Sequence, residues 1–426
     1  MRIEQLRHGV PRAAVALAVV AAGVALAGCE PVELQPGQLG VDGIEVTQSV
    51  QYPGAVVVPM IAYKDTYVRV YARVGGTRAA ADVGATLTVT GTTQAGEPIP
   101  SRTLQPVNGA TRTIGTSVAD PTRADATFIF KLEPAQVQTG ARTLTAKLRY
   151  PSGWVVPPGD DLTSKAVDVR FGPLHTRERN ILVSRRVYPI RYKYSNVPAG
   201  LQTQDGLSSG TYPARSRDDV ERQRLGAQNV LPLAVLTTDW SFEDRVGIPT
   251  FDCEPMTAPD GKITCGGFED ARQWAAKKFD EVYPGGNQWL VVIQPEKPTG
   301  FYGAYTRSEK NNIRINVQLE PANEEGLTLA HEMGHALGLG HTPDLRQDPD
   351  LKYPRADGSM GVWAGLRTTP TLRVIPGVNA SGQVTAYDVM SYRSPHWISA
   401  YSYCKAMDAL TQHAQTCPVG LDGWDS

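Results

Sequence analysis

Leu327-Thr328-Leu329-Ala330-His331-Glu332-Met333-Gly334-His335-Ala336-Leu337-Gly338-Leu339-Gly340-His341 is the stretch on which the reading of this 426-residue chain turns. In an α-helix each residue advances by about 100°, so His331 and His335 share one face a turn apart and their imidazoles converge on one ion. Glu332 then points beside that ion. A carboxylate there can hold and deprotonate a water whose pKa the metal lowers toward ~7. A third ligand requires the helix to stop, and Gly338 supplies the stop, because glycine accepts the left-handed conformation that commonly ends helices. The chain can turn there and carry His341 back to the ion. Three neutral ligands leave a coordination position for water or substrate, which marks a catalytic rather than a closed structural site. With seven histidines in the chain, chance assembly of all five positions has odds on the order of one in a hundred thousand. Accident is not a competitive explanation.

The pattern His331-Glu332-x-x-His335-x-x-Gly338-x-x-His341 is similar to the signature of the metzincin zinc peptidases. Tyr387-Asp388-Val389-Met390-Ser391-Tyr392 resembles their Met-turn, the tight turn beneath the three histidines, with Met390 in the methionine's place. Tyr392 resembles the tyrosine that, in astacin- and serralysin-like members, reaches the metal and stabilises the oxyanion. The resemblance implies a zinc-dependent endopeptidase with one Zn2+ on His331, His335 and His341. It implies Glu332 as general base and then proton donor to the leaving amine, with Tyr392 assisting the oxyanion. Phe301-Tyr302-Gly303-Ala304-Tyr305 precedes the helix where metzincins place the edge strand above the cleft. Gly303 and Ala304 would let a substrate backbone approach closely and add as a strand, the alternative being a simple turn. Two features depart from the pattern: Thr342, after the third histidine, matches no common subfamily, and a long segment separates His341 from Met390. That segment holds Asp344, Asp348, Asp350 and Asp357, which read as a Ca2+ site or as solvated loop. Pro395-His396-Trp397-Ile398-Ser399 looks like a group of secreted bacterial zinc peptidases, and His396 reads as structural.

Outward from the motif, the expected architecture is multidomain. An all-β, immunoglobulin-like sandwich over 41–172 is followed by an α/β (α+β) zincin- or metzincin-like catalytic domain over 173–426. In the first part, Val68, Val70, Ala72 and Val74 alternate with Tyr67, Arg69, Tyr71 and Arg73, the period of a half-buried strand. The alternation recurs at Phe128, Phe130 and Leu132, at Leu144, Ala146 and Leu148, and at Val167, Val169 and Phe171, with turn residues between the runs. Gly172-Pro173 marks the boundary. Beyond it, Ser216 caps a predicted helix running through Val220 and Leu225, and Pro232–Leu236 starts a predicted strand. Phe268–Tyr283 has helical spacing, while Trp289–Ile293 and Ile313, Ile315 and Val317 read as strands.

The N-terminus carries Arg2, Arg7 and Arg12 and then an apolar run, Ala13 to Leu26, too short to span a bilayer. With Leu26-Ala27-Gly28-Cys29 it resembles a lipoprotein signal: 1–28 removed, Cys29 lipidated, and 29–40 a Pro- and Gly-containing tether. The expected location is extracytoplasmic, anchored to a bacterial membrane through that lipid, whose acyl chains each contribute ~0.8 kcal/mol per buried CH₂. Export makes disulfides sustainable, and four cysteines remain. Sequential pairing, Cys253 with Cys265 and Cys404 with Cys417, closes two small loops, though counting alone leaves other pairings open. A net charge of −1, from 42 basic and 43 acidic residues, provides no field to draw nucleic acid, so the expected partner is a protein or peptide substrate. Two other functions suit the sequence. One is hydrolysis of another amide, such as a cell-wall crosslink; the other is a surface adhesin or glycan-binding protein whose sandwich carries the function.

Overall fold

The computed structural model describes residues 34–156, 160–172, 182–187, 190–193, 210–212, 217–234, 237–242, 250–252, 255–257, 263–265, 289–292, 303–309, 312–319, 326–345 and 349–411. The signal peptide, Cys29, the Phe268–Tyr283 helix, Cys253, Cys417 and Asp348 lie outside these residues.

The described part is mostly β-sheet with few helices. Its first section is a β-sandwich. Strands β1 (Leu39–Thr47), β3 (Met60–Ile61), β4 (Tyr67–Val74), β5 (Ala80–Thr93), β6 (Arg102–Leu104), β7 (Thr111–Ile114), β8 (Phe128–Lys131), β9 (Gly140–Arg149) and β10 (Ser164–Gly172) form it, while β2 (Val50–Gln51) belongs to another sheet. One sheet has the order β1-β4-β8 and the other β3-β10-β9-β5-β6, with β7 also on β5. The alternating residues Val68, Val70, Phe128, Phe130, Leu144, Ala146, Leu148 and Phe171 meet in a common buried core, as period-2 patterning requires. Ordered structure begins earlier than the tether reading expects. Leu39 is fully buried in that core, and Trp154 Nε1 donates to the Gly37 carbonyl at 3.0 Å. A short Pro/Gly stretch can pack when a long-range partner satisfies its backbone.

Strand β4 departs from the half-buried expectation, since both of its faces are covered. Arg69 is buried against the Glu45 carboxylate at 3.1 Å. Tyr67 and Ile129 pack with Ala364, Leu366 and Val374, which the second half of the chain brings to that face. A polar residue can occupy a buried face once it is paired.

In the second section, β11 (Leu182–Val187), α1 (Arg217–Val230), β12 (Thr237–Phe242), β13 (Trp289–Val292), β14 (Gly303–Glu309) and β15 (Asn312–Leu319) are followed by α2 (Leu327–Ala336). The sheet order is β12-β11-β13-β15-β14. The first four strands run parallel, and β14 is an antiparallel edge strand with Gly303 opposite Leu319 and Ala304 opposite Gln318. Helix α2 lies against α1, β14 and β15. Among the described residues, Leu231–Ala234 carry turn and bend after α1 in place of the start of the strand predicted from Pro232, and the described strand starts at Thr237. Strands β16 (Ala364–Arg367) and β17 (Arg373–Pro376) and helix α3 (Ala400–Thr411) follow. Residues 34–426 cluster as one compact unit. Within it β2 pairs with β16, and Val50, Val58 and Ile61 share a core with Met333, Met390 and Trp397.

Candidate metal centre

Helix α2 turns Leu329, Ala330 and Met333 into the core and leaves His331 and His335 to project together on another face. Its end follows from Gly338, which sits at φ +83°. The Leu339 amide donates to the Gly334 carbonyl and the Gly338 amide to the His335 carbonyl. These are the two hydrogen bonds of a Schellman motif, with glycine in the left-handed position. The reversed chain delivers His341, which is 6% exposed. The Nε2 atom of His335 lies 3.1 Å from that of His331 and 3.1 Å from that of His341. This triad could hold a metal ion.

The rings are oriented from behind. His331 Nδ1 donates to the Val389 carbonyl at 2.7 Å, and His335 Nδ1 donates to the Leu339 carbonyl at 3.0 Å. Both bonds place the proton on Nδ1 and leave the Nε2 lone pair free for a metal, the usual role of such outer partners. Burial, reinforced by His335, lowers the His331 pKa to about 3, which keeps it in the neutral, ligating form. Glu332 is buried beside the triad. The Tyr392 hydroxyl is 3.1 Å from His341 Nε2, although the residue as a whole is 65% exposed. Burial of its hydroxyl, then the charge of Glu332, raises the Tyr392 pKa, so the phenol remains a donor at neutral pH.

The turn at 388–392 supports the histidines. Asp388 is fully buried, and its carboxylate accepts from the Met390 amide at 2.8 Å and the Ser399 amide at 2.9 Å. Burial raises its pKa despite those bonds. The Met390 side chain packs on α2 at Gly334, where an added Cβ would lie 2.7 Å from the Met390 sulfur. Sequence reasoning passed over Gly334 and Asp388. The signals available were a glycine inside the helix and an acid in an otherwise apolar turn.

The other candidate residues are distributed as follows. Gly303 and Ala304 open the edge strand β14. Cys404 is disulfide-bonded on α3, and Cys265 ends the strand Ile263–Cys265. His396 is half-buried, with Nδ1 3.2 Å from the Arg393 carbonyl. The aspartates between His341 and Met390 are spread over separate contacts. Asp344 accepts from Thr342 and Ser391, Asp350 from Tyr401 and Lys405, and Asp357 from Ser359.

No family model and no curated protein matches the chain. Among solved structures, a CARDB domain from Pyrococcus furiosus in complex with di-metal ions is 13% identical, with TM-score 0.18, over 33% of this chain and 99% of that one. The C-terminal domain of wzt is 13% identical, with TM-score 0.18, over 32% of this chain and 70% of that one. A calcium-binding mutant of Bacteroides uniformis beta-glucuronidase 2 is 11% identical, with TM-score 0.19, over 59% of this chain and 28% of that one. Likenesses this faint place the chain in no family.

Proposed function

We propose that this chain is a zinc-dependent endopeptidase of the metzincin type, hydrolysing protein or peptide substrates outside the cytoplasm. The observation that carries the reading is the meeting of three histidine Nε2 atoms beside a buried carboxylate and a phenol. Imidazole nitrogens at roughly 2.0–2.1 Å from a tetrahedral zinc are about 3.3 Å apart, and separations of 3.1 Å suit that ion. Three neutral nitrogens are a donor set that zinc accepts readily. Bound there, zinc supplies Lewis acidity, polarising the scissile carbonyl and acidifying water.

The chain's own residues do the rest. The Glu332 carboxylate takes the proton of the attacking water and delivers it to the departing amine nitrogen. The Tyr392 hydroxyl donates to the oxyanion as charge develops on the former carbonyl oxygen. Edge strand β14 offers main-chain hydrogen bonds to an extended substrate irrespective of its side chains. A mixed sheet with α2 against it and α1 packed on α2 supports an α/β catalytic section, and the disulfide at Cys404 supports an extracytoplasmic setting. Tethering through a lipid on Cys29 belongs to the same reading and rests on the N-terminal sequence.

The test compares metal content with peptide hydrolysis in the same preparations. Glu332→Ala should retain about one zinc per chain and lose at least ~10²–10⁴-fold in turnover. His331→Ala and His335→Ala should lose both metal and activity. Zinc-loaded wild type that leaves a mixed peptide library intact would overturn the assignment.

A further inference from the structure

Asp344 is the acidic side chain nearest in sequence to the third histidine, and its carboxylate is only 3% exposed. Among the described residues, every partner of that carboxylate adjoins a residue of the site. Oδ1 accepts the hydroxyl of Thr342, which follows His341, at 2.5 Å. Oδ2 accepts the hydroxyl of Ser391 at 3.0 Å and pairs with Arg393 Nε at 3.2 Å. Ser391 and Arg393 are the residues on either side of Tyr392. The Arg393 amide in turn donates to Ser391 Oγ at 3.1 Å, which closes the bracket. One buried carboxylate therefore spans two chain segments 47 residues apart. On one side it holds the residue after His341, and on the other the two residues flanking the phenol.

We propose that Asp344 is a positioning residue that sets the third histidine and Tyr392 against each other, with Thr342 as its arm to the metal ligand and Ser391 and Arg393 as its arm to the phenol. The proposal rests on the zinc-peptidase reading for the role of Tyr392 but not for the metal ligand. The physical ground is that His341 and Tyr392 lie on irregular backbone. His341 is held by an isolated bridge to Pro349. Among the described residues, the one backbone hydrogen bond between the two segments, from the Thr342 amide to the Met390 carbonyl, is long at 3.4 Å, so side-chain ties add definition to the 3.1 Å separation of His341 and Tyr392. Charged hydrogen bonds in a water-poor pocket are the strongest tie available. Thr342, which fits no common metzincin subfamily, acquires a role here as the hydroxyl that presents the His341 loop to Asp344.

The experiment uses the full chain. Zinc affinity is measured by chelator competition, alongside kcat, KM and thermal melting, for Asp344→Ala, Asp344→Asn, Thr342→Val and Ser391→Ala. Outer partners of metal ligands typically change metal affinity or activity by about 10–100-fold. Asp344→Ala should weaken zinc binding within that range, and Asp344→Asn, which keeps one acceptor, by less. Thr342→Val should act mainly on zinc affinity. Ser391→Ala should lower kcat with KM unchanged, and in a Tyr392→Phe background its effect should vanish. If Asp344→Ala does not fold, the two arm variants decide.

Wild-type zinc affinity and kcat in both arm variants would overturn the proposal, as would equal losses from Ser391→Ala with and without the tyrosine. If the wild type binds zinc but cleaves no peptide, the peptidase reading falls. The metal-ligand arm would then still be judged by Thr342→Val and Asp344→Ala. If the wild type binds no metal, both fall.

Discussion

Gly334 shows how much one missing methyl group decides. Alanine is the better helix former by about 1 kcal/mol, so on propensity alone Gly334→Ala would stabilise α2. Its Cβ would stand 2.7 Å from the Met390 sulfur and 3.2 Å from a Leu339 methyl, both in a buried core. Overpacking of that kind costs roughly 1–3 kcal/mol. Methionine is flexible, but Met390 is almost fully buried. Gly334→Ala should therefore lower the melting temperature, and because the residue before Met390 holds His331 through its carbonyl it should weaken zinc binding too. A higher melting temperature in the metal-free variant would show that the contact is slack and that helix propensity governs the position.

Helix α2 and its reversal were legible as elements. The spacing of His331 and His335 predicts the helix, and Gly338 predicts its end. The structure places the last helical residue at Ala336 and the left-handed turn at Gly338, with both capping hydrogen bonds formed. A Cβ at Gly338 would meet no atom within 4 Å, so the requirement for glycine there is conformational and not steric. An L-residue in the left-handed region costs about 1–2 kcal/mol, and less for Asn, which visits it more readily. Gly338→Ala should lower stability by that amount and reduce zinc affinity, because the turn is what delivers His341. Gly338→Asn should fall between Gly338→Ala and wild type in both measurements. Equal zinc affinity in all three would mean that contacts beyond the turn hold His341 alone.

At the scale of the whole molecule, the sandwich is built into the section that carries the histidines. The Ser49 carbonyl accepts from Trp397 Nε1 at 3.0 Å and from the Leu366 amide at 2.7 Å. Ser49 Oγ donates to the Val230 carbonyl at 2.8 Å, at the end of α1. Trp397 is buried in the core that contains Met390, so the chain beyond the turn at 388–392 leans directly on the sandwich. Residues 34–426 should unfold in one calorimetric transition. Trp397→Phe, which leaves the Ser49 carbonyl with one donor fewer and removes part of the ring, should lower that transition by the equivalent of ~1–3 kcal/mol without splitting it. Two separated transitions, with only one moved by Trp397→Phe, would show instead that the two sections fold independently.

The sequence by itself determined what depends on neighbours a few residues apart. It carried the sandwich strands through their period of two, α1 and α2 through their helical spacing, and the ligand set through a glycine that permits one turn. Tertiary structure decided what depends on residues far apart in the chain. It covered the second face of β4 with Ala364, Leu366 and Val374. It drew Leu39 into the core and gave Asp344 partners on both sides of Tyr392. It also set Ser49 under Trp397 across 348 residues. Periodicity reports which side of an element is buried but not what buries it, and a buried carboxylate reads like a solvated one until the groups that neutralise it are brought into place.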